Sequence, residues 1–433
     1  NLDKNNLALE EEKCVVAAIM VILESFSDKQ LQNNSLTRLL SSSYTALEKL
    51  TDVDKENSLR NNPAAYIQFL NAAVKGLYRM GIVFSHLSTS LSLGYFDDST
   101  IVVLLNLFWP LLEKLFKSVH MENRNLTAAA CKALSQAVKS SGQHFLMMIP
   151  TVLDCLSTNF LSFQSNDCYV RTAVVVIEEF GHREEYGALF INTFDRFTSS
   201  ASITALTSSN ICDQMPDLVE AYMSFTISYM FFCSEEVLVA SGSVLELSVQ
   251  KAAICCTAMH RGVALSAMSY ISCFLEITIR SLLEYETRFS EVSFSAIATQ
   301  VLLHSGEGLI SNIIHALLGP SALSRVHKSA TILQQIASIF QICVQSKWKT
   351  AISWNSLFHW LQSTMDCLPE EYLKQNEINY LVTIWKETLV VAASDYLASR
   401  ENDSIRNGNM RPQGRGGRAL KKIIRNFADV SKT

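Results

Sequence analysis

The sequence predicts an all-α fold built from stacked helix pairs, and three observations lead to it. Two stretches superimpose at a separation of about 40 residues. They are FWPLLEKLF with NRNLTAAACKALSQAV, residues 108–138, and MMIPTVLDCL with NDCYVRTAVVVIEEF, residues 147–180. Each reads as a proline inside an apolar helix (Pro110, Pro150), a polar turn, and a second helix opening with Leu126 or Val170. Apolar positions recur every three or four residues along most of the chain, the period of a helix with one buried stripe. Composition agrees, since 48% of residues are hydrophobic, only 18% are charged, and 433 residues hold just 7 Pro and 15 Gly. A helix pair of this size cannot bury its stripe alone, so neighbouring pairs must stack. The expectation over residues 1–398 is a HEAT/ARM-repeat right-handed superhelical solenoid of roughly eight to ten helix pairs, each of ~40 to 47 residues.

In chain order, periodicity predicts helices at 6–25, 35–50 and 63–86, the last opening with Pro63, which a first helical turn tolerates. The charged stretch KLTDVDKENSLRNN, 49–62, reads as an exposed loop. Helices follow at 99–118, 125–141, 144–162, 168–181 and 184–197, then a Ser/Thr-rich connector, 198–216, longer than the usual turn. Further helices are expected at 217–232, 243–259, 262–286, 294–318, 321–345, 350–364 and 377–398. Residues 399–417, SRENDSIRNGNMRPQGRGG, are polar and rich in Gly, Asn and Arg, and read as a disordered basic linker. Residues 418–433 supply a C-terminal capping helix, with Leu420, Ile423, Ile424 and Phe427 on one face.

Residues 397–433 carry nine Lys and Arg against three Asp and Glu, a net of +6. That leaves 27 against 38 over residues 1–396, a net of -11. An acidic body attracts basic protein partners and repels nucleic acid. The eleven Cys show no CxxC spacing and sit mostly in apolar helical contexts, the pattern of reduced, buried thiols in a cytosolic or nuclear protein. The most apolar run, IVVLLNLFWPLLEKLF, is interrupted by Asn106, Pro110, Glu113 and Lys114, so no membrane span is expected. The chain opens on Asn1 rather than Met and is expected to be the carboxyl-terminal part of a longer protein.

Chemistry is sparse. Cys256 and His260, four apart on one expected helix, lack the further ligands a metal site needs, and packing explains them better. Glu178 and Glu179 are adjacent and point apart on a helix, so a solvated corner is preferred to paired carboxylates. HSGEGLIS, 304–311, has two glycines, but the chain contains no GxxxxGK[ST], GxGxxG or GxSxG. The single RGG of GRGGR, 414–418, lacks flanking aromatics and reads as linker rather than RNA contact. Trp348, Trp354 and Trp360, spaced by six, drift around a helix and read as packing rather than a cage. No catalytic, cofactor or metal site is expected. Asp167 and Arg171 fit a structural ladder, in which a turn aspartate and an arginine near the start of the second helix link successive repeats.

With the repeats placed, the sequence resembles the carboxyl-terminal part of an importin-beta superfamily nuclear transport receptor. It is most similar to the transportin-SR and importin-thirteen branch, with a plant member expected. The segments that carry the resemblance are FWPLLEKLF (108–116), DQMPDLVEAYMSF (213–225), SVQKAAICCTAMH (248–260), SRVHKSATILQQIA (324–337), WLQSTMDCLPEEYLK (360–374) and LKKIIRNFADV (420–430). They occur in order from about residue 64 onward, and their order and spacing persuade more than any one of them.

The resemblance implies a karyopherin that binds protein cargo, is regulated by RanGTP, contacts nucleoporins, shuttles between nucleus and cytoplasm, and catalyses nothing. Ran is expected to bind mainly through amino-terminal repeats outside this sequence. In transportin-SR proteins an arginine-rich helix after FWP grips phosphorylated Arg-Ser cargo. The matching stretch, HMENRNLTAAACKALSQAVK, offers only Arg124, Lys132 and Lys139 as candidate cargo contacts. That departure favours basic folded cargo over SR-type proteins, in line with the acidic body. No direct contact with nucleic acid or membrane is expected. The alternative, from another class, is a static HEAT-repeat scaffold in a larger assembly.

Overall fold

The computed structural model describes residues 8–52, 62–92, 98–163, 166–285, 293–319, 321–345, 352–403 and 414–430, and every regular element among them is helical. The chain divides into two compact units, Asn1–Leu189 and Phe190–Thr433.

The first unit contains α1 (Leu9–Glu24), α2 (Lys29–Leu50), α3 (Pro63–Ser92), α4 (Asp98–Phe116), α5 (Arg124–Ser141), α6 (Ile149–Ser162) and α7 (Cys168–Phe180). Local sequence sets several of these starts. The Asp28 carboxylate accepts from the Gln30 and Leu31 amides at 2.9 and 3.1 Å, so α2 begins at Lys29, six residues before the periodicity predicts. Asn123 caps α5 in the same way through the Leu126 amide, at 3.1 Å. Residues 142–148 run as 3-10 turns, which delays α6 to Ile149 and leaves Pro150 in its first turn. Pro110, by contrast, lies inside α4, so the two prolines, matched in the sequence repeat, occupy different places in their helices.

Packing in this unit alternates. α1, α3, α5 and α7 pack in succession to form one layer, α2, α4 and α6 form a second, and α2–α3, α4–α5 and α6–α7 pack as pairs between the layers. The periodic apolar positions are what is buried: on α7 these are Val170, Ala173, Val176, Ile177 and Phe180. Each fully buried Val, Ile or Phe contributes about 1.5–3 kcal/mol, which makes packing the main source of helical stability here.

The second unit takes α8 (Gly187–Thr198) from Phe190 onward. Two short helices follow inside the expected connector, α9 (Ala201–Thr204) and α10 (Ser209–Gln214), started by the side chains of Ser200 and Ser208. Then come α11 (Pro216–Phe232), α12 (Glu235–Ala240), α13 (Gly242–Cys255), α14 (Arg261–Tyr285), α15 (Phe294–His315), α16 (Ala322–Gln345), α17 (Trp354–Asp366), α18 (Gln375–Asp403) and α19 (Gly414–Val430). The alternation recurs. α11, α14, α16 and α18 pack in succession, α13, α15 and α17 form the other layer, and α13–α14, α15–α16 and α17–α18 are the pairs. Buried tyrosines keep hydroxyl partners: Tyr222 with Thr198 at 2.9 Å, Tyr229 with Ser241 at 2.6 Å and Tyr270 with Ser248 at 2.5 Å.

The C-terminal segment differs from the sequence expectation at both ends of the expected linker. α18 runs to Asp403 and α19 begins at Gly414, so residues 399–403 and 414–417 are helical. Residues 404–413 lie outside the described residues. α19 packs on α18 and α16 with Leu420, Ile424 and Phe427 buried, Ile423 half-buried, and Phe427 edge-on to Trp385 at 5.6 Å. Gly416 explains the early start. A Cβ there would lie 2.7 Å from the Ala392 backbone nitrogen, so only glycine lets the two helices approach this closely. The Gly416 amide donates to Asp395 at 2.6 Å, which places a carboxylate at the positive end of α19.

On length and composition, residues 124–162 and 261–284 are apolar enough to cross a membrane. However, 50% and 61% of their most apolar windows are buried inside the protein, the first spans two helices, and packing accounts for their apolarity.

Candidate functional site

α5 gathers the three expected cargo contacts on one face. Arg124, Lys132 and Lys139 follow at intervals of eight and seven residues, which places them within about 80° of one another around the helix axis. All three are exposed, and α5 contains no acidic residue. Lys139, in the last turn, agrees with the helix dipole. Arg124, in the first turn, opposes it by an amount on the order of 0.3–1 kcal/mol. Helix stability therefore does not account for a cation at 124.

Lys132 also borders a cleft of ≈ 360 Å³ between α1, α3 and α5, all in one layer. Its floor includes Ala17, Leu77, Ile82 and Ala133, and its rim carries Glu10, Lys13, His86 and Lys132. The Lys132 ammonium lies 5.4 Å from the centroid of the Tyr78 ring, which holds the long side chain over the cleft mouth. Apolar floor and charged rim suit recognition of a protein side chain. On α7, the next helix of this layer, Glu178 and Glu179 are exposed and carry the opposite charge.

The other marked residues fall elsewhere. Asp167 and Arg171 do meet, with Arg171 Nε 2.5 Å from Asp167 Oδ2, which joins the residue before α7 to the first turn of that helix. Cys256 is fully buried and donates to the Ala252 carbonyl at 3.3 Å. His260 is half exposed beside Glu220 at 3.5 Å, so the two form no dyad. Burial pushes the Cys256 thiol far above its ordinary range. Trp360 packs edge-on to Phe340 at 5.7 Å and Trp354 lies 5.4 Å from Phe358, while Trp348 lies outside the described residues. The first glycine of HSGEGLIS serves that packing, because a Cβ on Gly306 would sit 2.5 Å from the Trp360 ring, whereas a Cβ on Gly308 would meet nothing within 4 Å. Among the described residues no group of three or more His, Cys, Asp or Glu is placed to hold a metal ion.

Ladder contacts between successive helix pairs exist in the second unit, carried by residues the sequence reading did not mark. The Asp213 carboxylate on α10 accepts from the Met259 and His260 amides at 2.9 and 2.7 Å, at the start of α14. From the other side, buried Arg325 on α16 donates to the Ala258 carbonyl and, at 3.3 Å, to the Ala316 carbonyl that ends α15. Its guanidinium is pulled below its ordinary value by burial, a cost that those helix-end carbonyls offset. Lys251 on α13 donates to the carbonyl of Thr204, the last residue of α9, at 2.6 Å and to that of Leu206, just past it, at 3.2 Å. Gln334 reaches the Ala392 carbonyl on α18 at 2.9 Å, and Gln335 reaches the Ser272 carbonyl on α14 at 3.2 Å. The first unit uses the same device: Gln32 bonds the Leu23 carbonyl, and Asn159 bonds the Phe116 carbonyl, both at 2.9 Å.

One buried and one half-buried ionic bridge complete the picture. Glu12 on α1 binds Arg79 at 2.6 Å and Lys75 at 3.0 Å, both on α3. Glu276 on α14 pairs with Arg400 on α18 and accepts from Tyr396 at 2.6 Å and from Gln335 at 3.3 Å. Compared with known proteins, the sequence matches no protein-family model and no curated protein significantly.

Proposed function

We propose that this chain forms HEAT-type helical repeats of a nuclear transport receptor that binds protein cargo without catalysis. The observation that carries the reading is the pairing of two features: the ordered resemblance along the sequence, and the alternating layers of each unit, with successive pairs in the second unit joined by the buried side chains of Arg325 and Gln334. Repeats stacked in this way bury their apolar stripes only against neighbours and leave one helix layer free for a long partner surface. The α5 face, with Arg124, Lys132 and Lys139 beside a cleft and with acidic α7 next to it, suits a folded partner of mixed surface charge. The acid excess of residues 1–396 favours cargo that is basic overall. Release would come from RanGTP changing the pitch of the repeats, with shuttling between nucleus and cytoplasm.

The test is affinity purification of the natural protein from cell extract, with and without Ran locked in its GTP state. Partners that leave or join only with RanGTP support the receptor. A constitutive partner at equal stoichiometry, indifferent to nucleotide, would replace it with a static scaffold.

A further inference from the structure

Three cysteines meet where α10, α13 and the turn before α14 come together. Cys212 on α10 and Cys255 at the end of α13 lie with their sulfurs 3.3 Å apart, both fully buried, although 43 residues separate them in sequence. Cys256 is next in the chain, but its thiol turns away to the Ala252 carbonyl at 3.3 Å. We infer that Cys212 and Cys255 form a reversible disulfide when the protein meets a hydroperoxide, and that this bond links one helix pair to the next.

The geometry favours this pair over the other thiols. A disulfide needs sulfurs about 2.05 Å apart, so an approach of roughly 1.3 Å closes it, within the reach of side-chain rotation and a small shift of a short helix. α10 is such a helix: it has six residues, and Ser208, Asn210 and Gln214 on or beside it are exposed. Local opening of this segment admits a small oxidant. The electrostatics also suit the role. The Cys255 thiol donates to Cys212 and holds its pKa below the ordinary value, with the Lys251 ammonium acting in the same direction, while Cys255 itself is raised. Cys212 is therefore the thiolate that attacks.

In the first step the Cys212 thiolate attacks one oxygen of the hydroperoxide. The O–O bond breaks, the alcohol or water leaves, and Cys212 becomes a sulfenic acid. In the second step the Cys255 sulfur attacks the sulfenic sulfur and displaces water. Two thiols and one hydroperoxide thus yield one disulfide, one alcohol (or water) and one water. A thiol reductant reverses the reaction by exchange. The bond lies one residue from Asp213, whose carboxylate holds the start of α14, so oxidation fastens that ladder contact. This inference stands apart from the proposed function.

The test treats the intact protein with hydrogen peroxide, blocks remaining thiols with N-ethylmaleimide, and maps peptides by mass spectrometry without reduction. The expected product is a Cys212–Cys255 linked peptide that disappears on adding dithiothreitol. Cys212→Ser and Cys255→Ser should each abolish it, and Cys256→Ser should leave it intact. Circular dichroism of the reduced variants checks that they fold. Oxidation of wild-type protein with no linked peptide, or with Cys256 joined as readily as Cys255, would overturn the assignment.

Discussion

Glu12–Arg79 in the first unit and Glu276–Arg400 in the second each join helices of one layer, but in different surroundings. Glu12 and Arg79 are 2% and 3% exposed, and their further polar contacts include Lys75 and the Ser42 hydroxyl, at 2.6 Å from Arg79. Glu276 and Arg400 are 22% and 10% exposed, and Glu276 is also held by Tyr396 and Gln335. The first pairing is thus shut away from water with a second cation, Lys75, beside its carboxylate, and the second is shared with neutral groups and solvent. A deeply buried carboxylate that loses its cation keeps its desolvation cost, whereas one with hydroxyl and amide donors keeps part of its compensation.

Arg79→Ala sharpens the contrast most. It leaves the buried Glu12 with only the more exposed Lys75 as counter-ion among the contacts named above, and we expect a loss of about 3–5 kcal/mol, read by urea unfolding. Arg400→Ala should cost less, about 1.5–3 kcal/mol, since Tyr396 and Gln335 remain. Equal losses, or the reverse order, would break the comparison. Gly306→Ala forces Trp360 to move and should cost about 1–3 kcal/mol, with a shift in tryptophan emission as the marker.

The smallest expected effect depends on pH. Burial, then the nearby Lys421 and Lys328, pull His327 below its ordinary 6.5. The unfolded chain therefore takes up this proton before the folded protein does. The contribution is fully present above pH 6.5 and is lost as pH falls below it, towards the folded value. Lys421 is on α19 and touches His327 at 3.3 Å, so docking of α19 should weaken on mild acidification. Melting curves at about pH 7.5 and pH 5.5 should show this, and His327→Gln should flatten it.

Much of the helical layout was legible because periodic apolar residues mark each buried stripe, as on α7 and α16. Helix starts were less legible. Asp28 begins α2 early through a cap that periodicity does not register, and Gly416 extends α19 into a segment whose composition resembles a linker. The exposed position of Arg124, Lys132 and Lys139 on one face follows from their spacing. The ladder did not show, because Asp213, Lys251, Arg325 and Gln334 act on backbone carbonyls and amides of distant helices, and a sequence does not display which helix end a lone polar side chain will reach. The contact between Asp167 and Arg171 was legible from spacing alone, because residues four apart at a helix start are within reach of one another.

The most direct test of stacked repeats is hydrogen exchange on Arg79→Ala and Arg400→Ala, read helix by helix. In a repeat stack each helix pair depends on its neighbours, so Arg79→Ala should strip protection from α1, α2 and α3 while α6 and α7 stay protected. Likewise Arg400→Ala should expose α16, α18 and α19 while α11 keeps its protection. If all helices of a unit lost protection together, each unit would be one globular core and the repeat account would be wrong.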